Sequence, residues 1–571
     1  MPQYFNDGIN DPLVFDSQPI IAGVDSVTRA SLLQPTHVSY LQNVDLESSG
    51  IAKTRRGGHR LSSRTYGTVH AIKYIKSDDW LDPLFIFGGG NVWMETSTGN
   101  KLLAMSAYSP EALPEDCSIA EINGNIFFSD GSGPIVTVSL LGLATDKLID
   151  SNGNYIVTHD GDNIVGFNPV VTMTETHDPT SVRCLTPHKY RLFCAQGVDT
   201  LLASKFLPVA GGTSFPDPAT TTIRIGKGES DRIVAIVPFK DFRIAIFKEY
   251  SIFVVNANPA QDATTTGLGN AEVALVSDKV GCVAEKSAVS VGDDIVFLSR
   301  DGVRSIGTTF QQELIATSDP ISFAINDQIE KINWVYAHTS VATFWRGRYM
   351  LAVPMGSSTV PDTVLVFNTN LKQWTGLWTG WKPTDFEIIE LSGQPRKLVW
   401  ADATNNNVVA FRDWVDEAAV VEDDYTDNLD GTFSTIPFKL LTRAMTFGDP
   451  VSPKSIDFME VEFFRSKSYA DITLVPDGGN AIILDSGTAV DTGTGDLRLT
   501  FILPDVLGTP GVVRHNMSVL GAAQGREFQI LITNTPSERL TNLGISLIDQ
   551  RFLSIRNINL GGFIDTLEAQ I

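Results

Sequence analysis

Cysteine is scarce, with four residues (Cys117, Cys184, Cys194 and Cys282) in a chain of 571. They form no C-x-x-C pair and no metal-finger spacing, which excludes a disulfide-framed scaffold and a zinc-finger module. Small buried residues in a protein made in a reducing compartment are the expected alternative. Basic charge is the second shortage: 43 Lys and Arg stand against 66 Asp and Glu, a net charge of −23. Tight nucleic-acid binding needs a basic surface, so that class is excluded, whereas a protein along which nucleic acid slides is not. No apolar stretch reaches the roughly 18 residues of a membrane helix, so no membrane insertion is expected. The opening MPQYFNDGINDPLVF has no basic segment followed by an apolar one, and it predicts no signal peptide and synthesis in the cytoplasm.

Motifs of chemistry are missing too. The eight His residues show neither H-x-x-x-H nor H-E-x-x-H spacing. IRIGKGES at 223–230 fails the phosphate-loop spacing because Glu229 follows its second Gly, and no G-x-S-x-G elbow occurs. Asp150, Asn152 and Asn154 open like a calcium loop, but Gly153 takes the fourth place rather than the sixth, so a turn is the better reading. SRDGVRSI at 299–306 approaches a sialidase box without its Trp. No catalytic residue, cofactor or metal ligand is assigned, and the expectation is a protein that is not an enzyme.

What the chain does have is turn residues, 47 Gly and 28 Pro, and a repeated unit of apolar strand, tight turn and apolar strand. AVSVGDDIVFLSRDGVRSI at 288–306 shows it most plainly, with turns at Gly292–Asp294 and Arg300–Gly302 around the apolar run Ile295–Leu298. Copies lie around 83–96, 120–137, 185–204, 233–255, 342–367 and 388–411. They recur at about 45–65 residues, close to the period of propeller blades. The prediction is an all-β chain, a six- or seven-bladed β-propeller with an additional C-terminal β-sandwich-like region.

One helix is predicted from Ser318 or Asp319, with Pro320 at its first position and Ile321, Ile325, Ile329 and Ile332 on one face. Near 413–430 the texture changes to acids without a single Lys, and beyond 440 period-two alternation takes over. Examples are Met459, Val461 and Phe463; Leu497, Leu499 and Phe501; and Phe528, Ile530 and Ile532. The expected organisation is an N-terminal segment with the first propeller strands (1–65), blades (66–412), an acidic junction loop (413–440) and a β-rich region packed on the propeller (441–571).

Two charge clusters stand out. Asp413, Asp416, Glu417, Glu422, Asp423, Asp424, Asp427 and Asp430 are candidates for the lining of an acidic channel. Lys53, Arg55, Arg56 and Arg60, with Arg64 beyond them, are candidates for contact with an acidic partner. Their plainer reading is a solvated strand edge that discourages pairing.

QPTHVSYLQNVDLESSGIAKTRRGGHRL at 34–61, with Asn43, Gly50, Arg56 and Gly57, resembles the opening of the tail nozzle or tail hub proteins of short-tailed bacteriophages. The run 280–307 and LVFNTNLKQWTGLW at 365–378, with its turn closed by Trp374, resemble the same family. That resemblance implies a structural virion protein, assembled in the bacterial host cytoplasm into a hexameric ring. Its partners would be a portal adaptor, fibres or spikes, and double-stranded DNA that the ring retains and then conducts. An acidic wall suits that task, since every phosphate neutralised by a cation would strengthen binding and slow passage. The competing readings are a receptor-binding adhesin and a propeller enzyme that degrades polysaccharide, which would need carboxylates clustered on the propeller axis.

Overall fold

Short apolar runs separated by two-residue turns commit the chain to antiparallel hairpins. At the best copy of the repeat, Val291 pairs with Asp294 across Gly292 and Asp293, and Gly292 holds φ +62°, as a type II′ turn requires at its first central position. The structure is a computed structural model. It describes residues 13–19, 22–46, 50–76, 82–96, 99–122, 124–139, 170–172, 178–205, 215, 222–226, 228, 230–240, 243–256, 271–307, 319–390, 395–413, 426–464, 467–477, 482–491, 512–518, 524–534 and 554–564.

Repetition of that hairpin unit yields seven blades, six of them small separate sheets and the sixth in chain order continuous with a larger one. Their first strands are Val69–Tyr74, Ser118–Ile122, Val182–His188, Ile233–Phe239, Val289–Val291, Val341–Trp345 and Pro383–Ile389. Each packs beside the next in that order, and the seventh packs against the first again. The chain is therefore a closed β-propeller, which fixes the blade number at seven. Blade seven takes three strands from 383–411 and its outermost strand, Gly58–Arg60, from near the N-terminus, paired with Val408–Phe411. This hydrogen-bonded closure links the two ends of the ring.

Apart from the two-stranded ribbon of Thr426–Asp427 and Ser434–Thr435, the remaining described strands make a two-layered sandwich. In one layer the last strand of blade six, Gln373–Thr379, pairs with Val38–Gln42, and the sheet continues through Lys439–Thr442, Phe528–Asn534, Lys467–Pro476 and Ile482–Asp491. The other layer joins Leu13–Pro19, Ser554–Ile564, Lys454–Phe464 and Val512–Ser518, together with Val44–Leu46 and Ala52–Thr54. Leu41, Leu440, Ile472 and Ile530 from the first layer share one core with Leu46, Met459, Val461 and Leu560 from the second. The alternation predicted for 459–463 and 528–532 is present, since Met459, Val461, Phe463, Phe528, Ile530 and Ile532 are all fully buried. Leu497, Leu499 and Phe501 lie outside the described residues.

Two expectations change. The N-terminal segment was expected to supply first propeller strands, but 38–54 belongs to the sandwich and only Gly58–Arg60 joins the propeller. The sandwich is thus built from both ends of the sequence. The predicted helix is two short turns, Phe323–Ile325 and Asn326–Ile329, without a side-chain cap. Its apolar face is nonetheless as read: Ile325, Ile329 and Ile332 are buried, with Ile321 packed against the same core.

Candidate functional site

The two charge clusters singled out in the sequence meet each other. Arg55 is fully buried, and all five of its guanidinium hydrogens find acceptors. Its Nη1 and Nη2 donate to the two carboxylate oxygens of Asp427 at 3.1 and 2.6 Å. Its Nε donates to Asn43 Oδ1 at 3.0 Å, and the remaining hydrogens reach the carbonyls of Arg56 at 3.0 Å and Thr379 at 2.7 Å. The guanidinium also lies 4.7 Å from the ring centroid of Trp381, which stacks on Trp400 at 4.3 Å. Asp427 Oδ1 accepts the backbone N–H of Gly58 at 2.9 Å and Trp381 Nε1 at 3.2 Å. Asn43 sits at φ +55° where the chain leaves one sandwich layer for the other, and its Nδ2 donates to Pro437 O at 2.8 Å. The result is a clasp that ties sandwich, closure strand and blade six together.

This arrangement corrects the reading of Arg55 and Asp427 within the two predicted clusters. Arg55 is an internal cation rather than a docking residue, and Asp427 is its counter-ion rather than a channel wall. Arg56 is also buried and donates to Arg412 O at 3.3 Å. Lys53 and Arg60 are half-buried, while Arg64 is exposed and lies 4.7 Å over the ring of Trp93. Asp413 is an internal acceptor too, taking Trp345 Nε1 at 3.0 Å and standing 3.5 Å from both Arg346 and Arg348. Asp430 is exposed and caps a local turn through Thr432 at 2.8 Å. Asp416, Glu417, Glu422, Asp423 and Asp424 lie outside the described residues, as do Asp150, Asn152 and Asn154.

A second polar constellation lies on the propeller axis, and sequence reading missed it. The 3₁₀ turn Glu285–Ser287 immediately precedes the first strand of blade five. Ser118 Oγ of blade two donates to Glu285 Oε1 at 2.7 Å, and the backbone N–H and thiol of Cys184 in blade three face the same carboxylate. Lys286 Nζ donates to His70 O of blade one at 3.2 Å and to Thr384 O of blade seven at 3.3 Å, and stands 3.9 Å from the Asp385 carboxylate. Ser287 O accepts Tyr349 Oη of blade six at 2.9 Å, and just upstream Cys282 N donates to Lys248 O of blade four at 2.8 Å. Only the axis of a seven-membered ring can be reached from six blades at once, so the chain fills its own central channel at this level. Burial pushes the Glu285 carboxyl up, an effect that Ser118, Lys286 and Cys184 partly offset.

Blades one and seven also meet through side chains. Asp385 Oδ2 accepts Ile72 N at 3.0 Å, Thr384 Oγ1 donates to Val69 O at 3.1 Å, and Lys73 Nζ contacts both oxygens of Glu387 at 3.1 and 3.2 Å. Glu387 keeps 16% of its side-chain surface exposed, yet burial first of all, reinforced by Asp385 and opposed by Lys73, carries its carboxyl up to about 7. A carboxyl whose pKa is raised by folding favours the protonated state. Its contribution to stability is complete below the unfolded value of 4.5 and is lost as pH rises through about 7. Between pH 8 and pH 5 the stability of the natural chain relative to a Glu387→Gln variant is therefore expected to rise by about 2 kcal/mol. Urea unfolding of both proteins across that range checks it, and a pH-independent difference would remove the assignment.

Among the described residues, no group of three or more His, Cys, Asp and Glu is placed to hold a metal ion. The four cysteines are free and buried, and burial pushes their thiols up, Cys117 to about 12 and Cys282 to about 11. A cavity beside Val24, Ile325, Gln328 and Trp374 measures about 10 Å³, room for roughly one water. No family profile matches the chain, and no curated protein matches it. Among solved structures, it is similar to the Pan2 WD40 domain of Neurospora crassa at 10% identity, covering 63% of this chain and 94% of that one, with a TM-score of 0.32. It is similar to the Cps50 (Swd1) β-propeller domain of Myceliophteria thermophila at 7% identity, covering 62% and 98%, with a TM-score of 0.35. A chain of the mitotic checkpoint complex shows 11% identity, 61% and 95% coverage, and a TM-score of 0.30. The propeller itself rests on the closed ring of seven blades.

Proposed function

We propose that this chain is a structural subunit of the tail of a short-tailed bacteriophage, one of the copies that form a ring-shaped nozzle or hub for the packaged genome. The observation that carries the reading furthest is the filled propeller axis. Glu285 is engaged by Ser118 and Cys184, Asp385 by Ile72 N–H, and Glu387 by Lys73, so each of these three carboxylates is taken up within the protein. Carboxylates engaged in this way favour a structural role over a polysaccharide-degrading propeller. Sequence resemblance supplies the virion context, and a net charge of −23 suits a conduit that must not hold its polyanion.

In this reading DNA passes between copies of the chain, not along the axis of any one propeller. Lys53 and Arg60 remain as adaptor contacts, and the acids that can face DNA narrow to Asp416, Glu417, Glu422, Asp423, Asp424 and the exposed Asp430. Electron-microscopy class averages of the purified chain mixed with its tail partners test the proposal. A sixfold ring around an opening wide enough for duplex DNA is the expected image, whereas a threefold spike would give the chain to an adhesin. Exchanging the five acids between 416 and 424 for Asn and Gln is expected to slow genome release several-fold without lowering the unfolding temperature. Unchanged ejection kinetics would remove the acidic-wall part of the proposal.

A further inference from the structure

The axial turn is built like a ligand seated in a receptor. Strand Val182–His188 carries a bulge between Arg183 and Thr186, and within it Cys184 holds φ +58°, a left-handed conformation that a non-glycine residue rarely adopts. The bulge aims the Cys184 N–H at the Glu285 carboxylate and brings Leu185 N to Ser118 Oγ at 2.7 Å. Ser118, so held as an acceptor, spends its own hydrogen on Glu285. Two blades are thus shaped around one carboxylate supplied by a third. Lys286 is held less completely, by two carbonyls and a carboxylate 3.9 Å away.

The neck of this segment is fixed. A Cβ on Gly281 would stand 2.4 Å from the backbone of Lys248 and Glu249, so the chain passes there in direct contact with blade four. Beyond the neck, the side chains of Glu285 and Lys286 are retained by polar contacts, and desolvated charge is a weaker source of stability than apolar packing of the same volume. The blades themselves are joined by separate apolar clusters.

We propose that residues 283–287 form an axial bolt, a conformational device that is drawn from the channel as a unit while the seven blades stay folded. Three of the four thiols report on it. The Cys184 N–H faces Glu285 while its thiol donates to Val234 O at 3.0 Å, Cys282 Sγ lies 3.5 Å from Ser287 Oγ, and Cys117 directly precedes Ser118. All four thiols pack in apolar seams between blades, and Cys194, on the second strand of blade three in the seam between blades two and three, is the one set apart from the segments that meet the turn.

The test uses the full natural chain with a thiol-specific maleimide in increasing urea below the unfolding transition, with sites identified by peptide mass spectrometry. Cys117, Cys184 and Cys282 are expected to label at least tenfold faster than Cys194 while the circular dichroism of the strands is unchanged. Glu285→Ala should raise those three rates a further tenfold, and Glu285→Gln by less, because the amide oxygen can still accept from Ser118. If all four thiols become reactive together at the unfolding midpoint, the bolt has no motion of its own and the proposal is overturned. Labelling of the three that is equal in the natural chain and in Glu285→Ala overturns it as well, and that comparison is made only on variant protein whose strand signal matches the natural chain.

Discussion

Replacing Asp427 by Ala is expected to destabilise the chain by about 3–5 kcal/mol, because it strands a buried guanidinium without its counter-ion. Arg55 has no exposed surface through which water could take over, and its Nη1 and Nη2 would each lose a carboxylate acceptor. The same substitution frees the Gly58 N–H and Trp381 Nε1, two further donors in the interior. Arg55→Ala should cost a similar amount for the converse reason. Exchanging the pair together, Arg55→Met with Asp427→Leu, should recover much of the loss, since two apolar side chains leave no orphaned charge. Urea unfolding of the two single variants and the double one measures all three numbers. A loss below about 1 kcal/mol in Asp427→Ala would mean that solvent reaches the pair, and the clasp would then be no more than a surface ion pair.

The second large effect is expected at Gly58→Ala. A Cβ there would stand 2.4 Å from Cη2 of Trp400 and 2.9 Å from both its Cζ2 and Val409 Cγ1. Those atoms belong to the fully buried floor of blade seven, so the closure strand must lift from Val408–Phe411 or the indole must leave its place over Trp381. Overpacking of this kind costs about 3 kcal/mol. Phenylalanine lacks the two offending indole atoms, so Trp400→Phe should relieve the clash. The double variant is then more stable than the sum of the two single losses predicts. Thermal unfolding of the four proteins decides it: strict additivity would mean that Gly58 and Trp400 do not compete for the same space.

Much of the propeller was legible because the signal is local. Each blade announces itself by apolar runs and turn residues such as Gly292 and Gly302, and these need no knowledge of the rest of the chain. Blade seven hid its fourth strand because Gly58–Arg60 is only three residues long and lies 348 positions before its partner, the interval from residue 60 to 408. The sandwich showed its alternation at 459–463 and 528–532, but nothing in that alternation says that strands 38–54 complete it. Arg55 and Asp427 were found and misassigned for one reason. Arg55 and Asp427 look like surface charges when read one at a time, and their pairing is a fact of tertiary structure across 372 residues. Glu285 and Lys286 stood in a stretch valued for its hairpins, and a Glu–Lys dipeptide carries no mark of a buried axis.

The sandwich that both ends of the chain build sets the order in which the molecule can come into being. Among the described residues, Leu13–Pro19 pairs with the strand Ser554–Ile564, from Leu13 opposite Phe563 to Pro19 opposite Asn557. A ribosome adding about 5–20 residues per second needs roughly half a minute to two minutes to deliver the second strand after the first. Through that interval Leu13–Pro19 waits without its partner, and the closure strand waits through the 348 positions that separate it from blade seven's Val408–Phe411. Nascent chains therefore carry open sheet edges until Ser554–Ile564 has been made, and neighbouring chains on one messenger are exposed to mispairing through them. Assembly that needs the folded sandwich can draw only on chains in which Ser554–Ile564 has been made, which makes that strand a checkpoint on the quality of every copy.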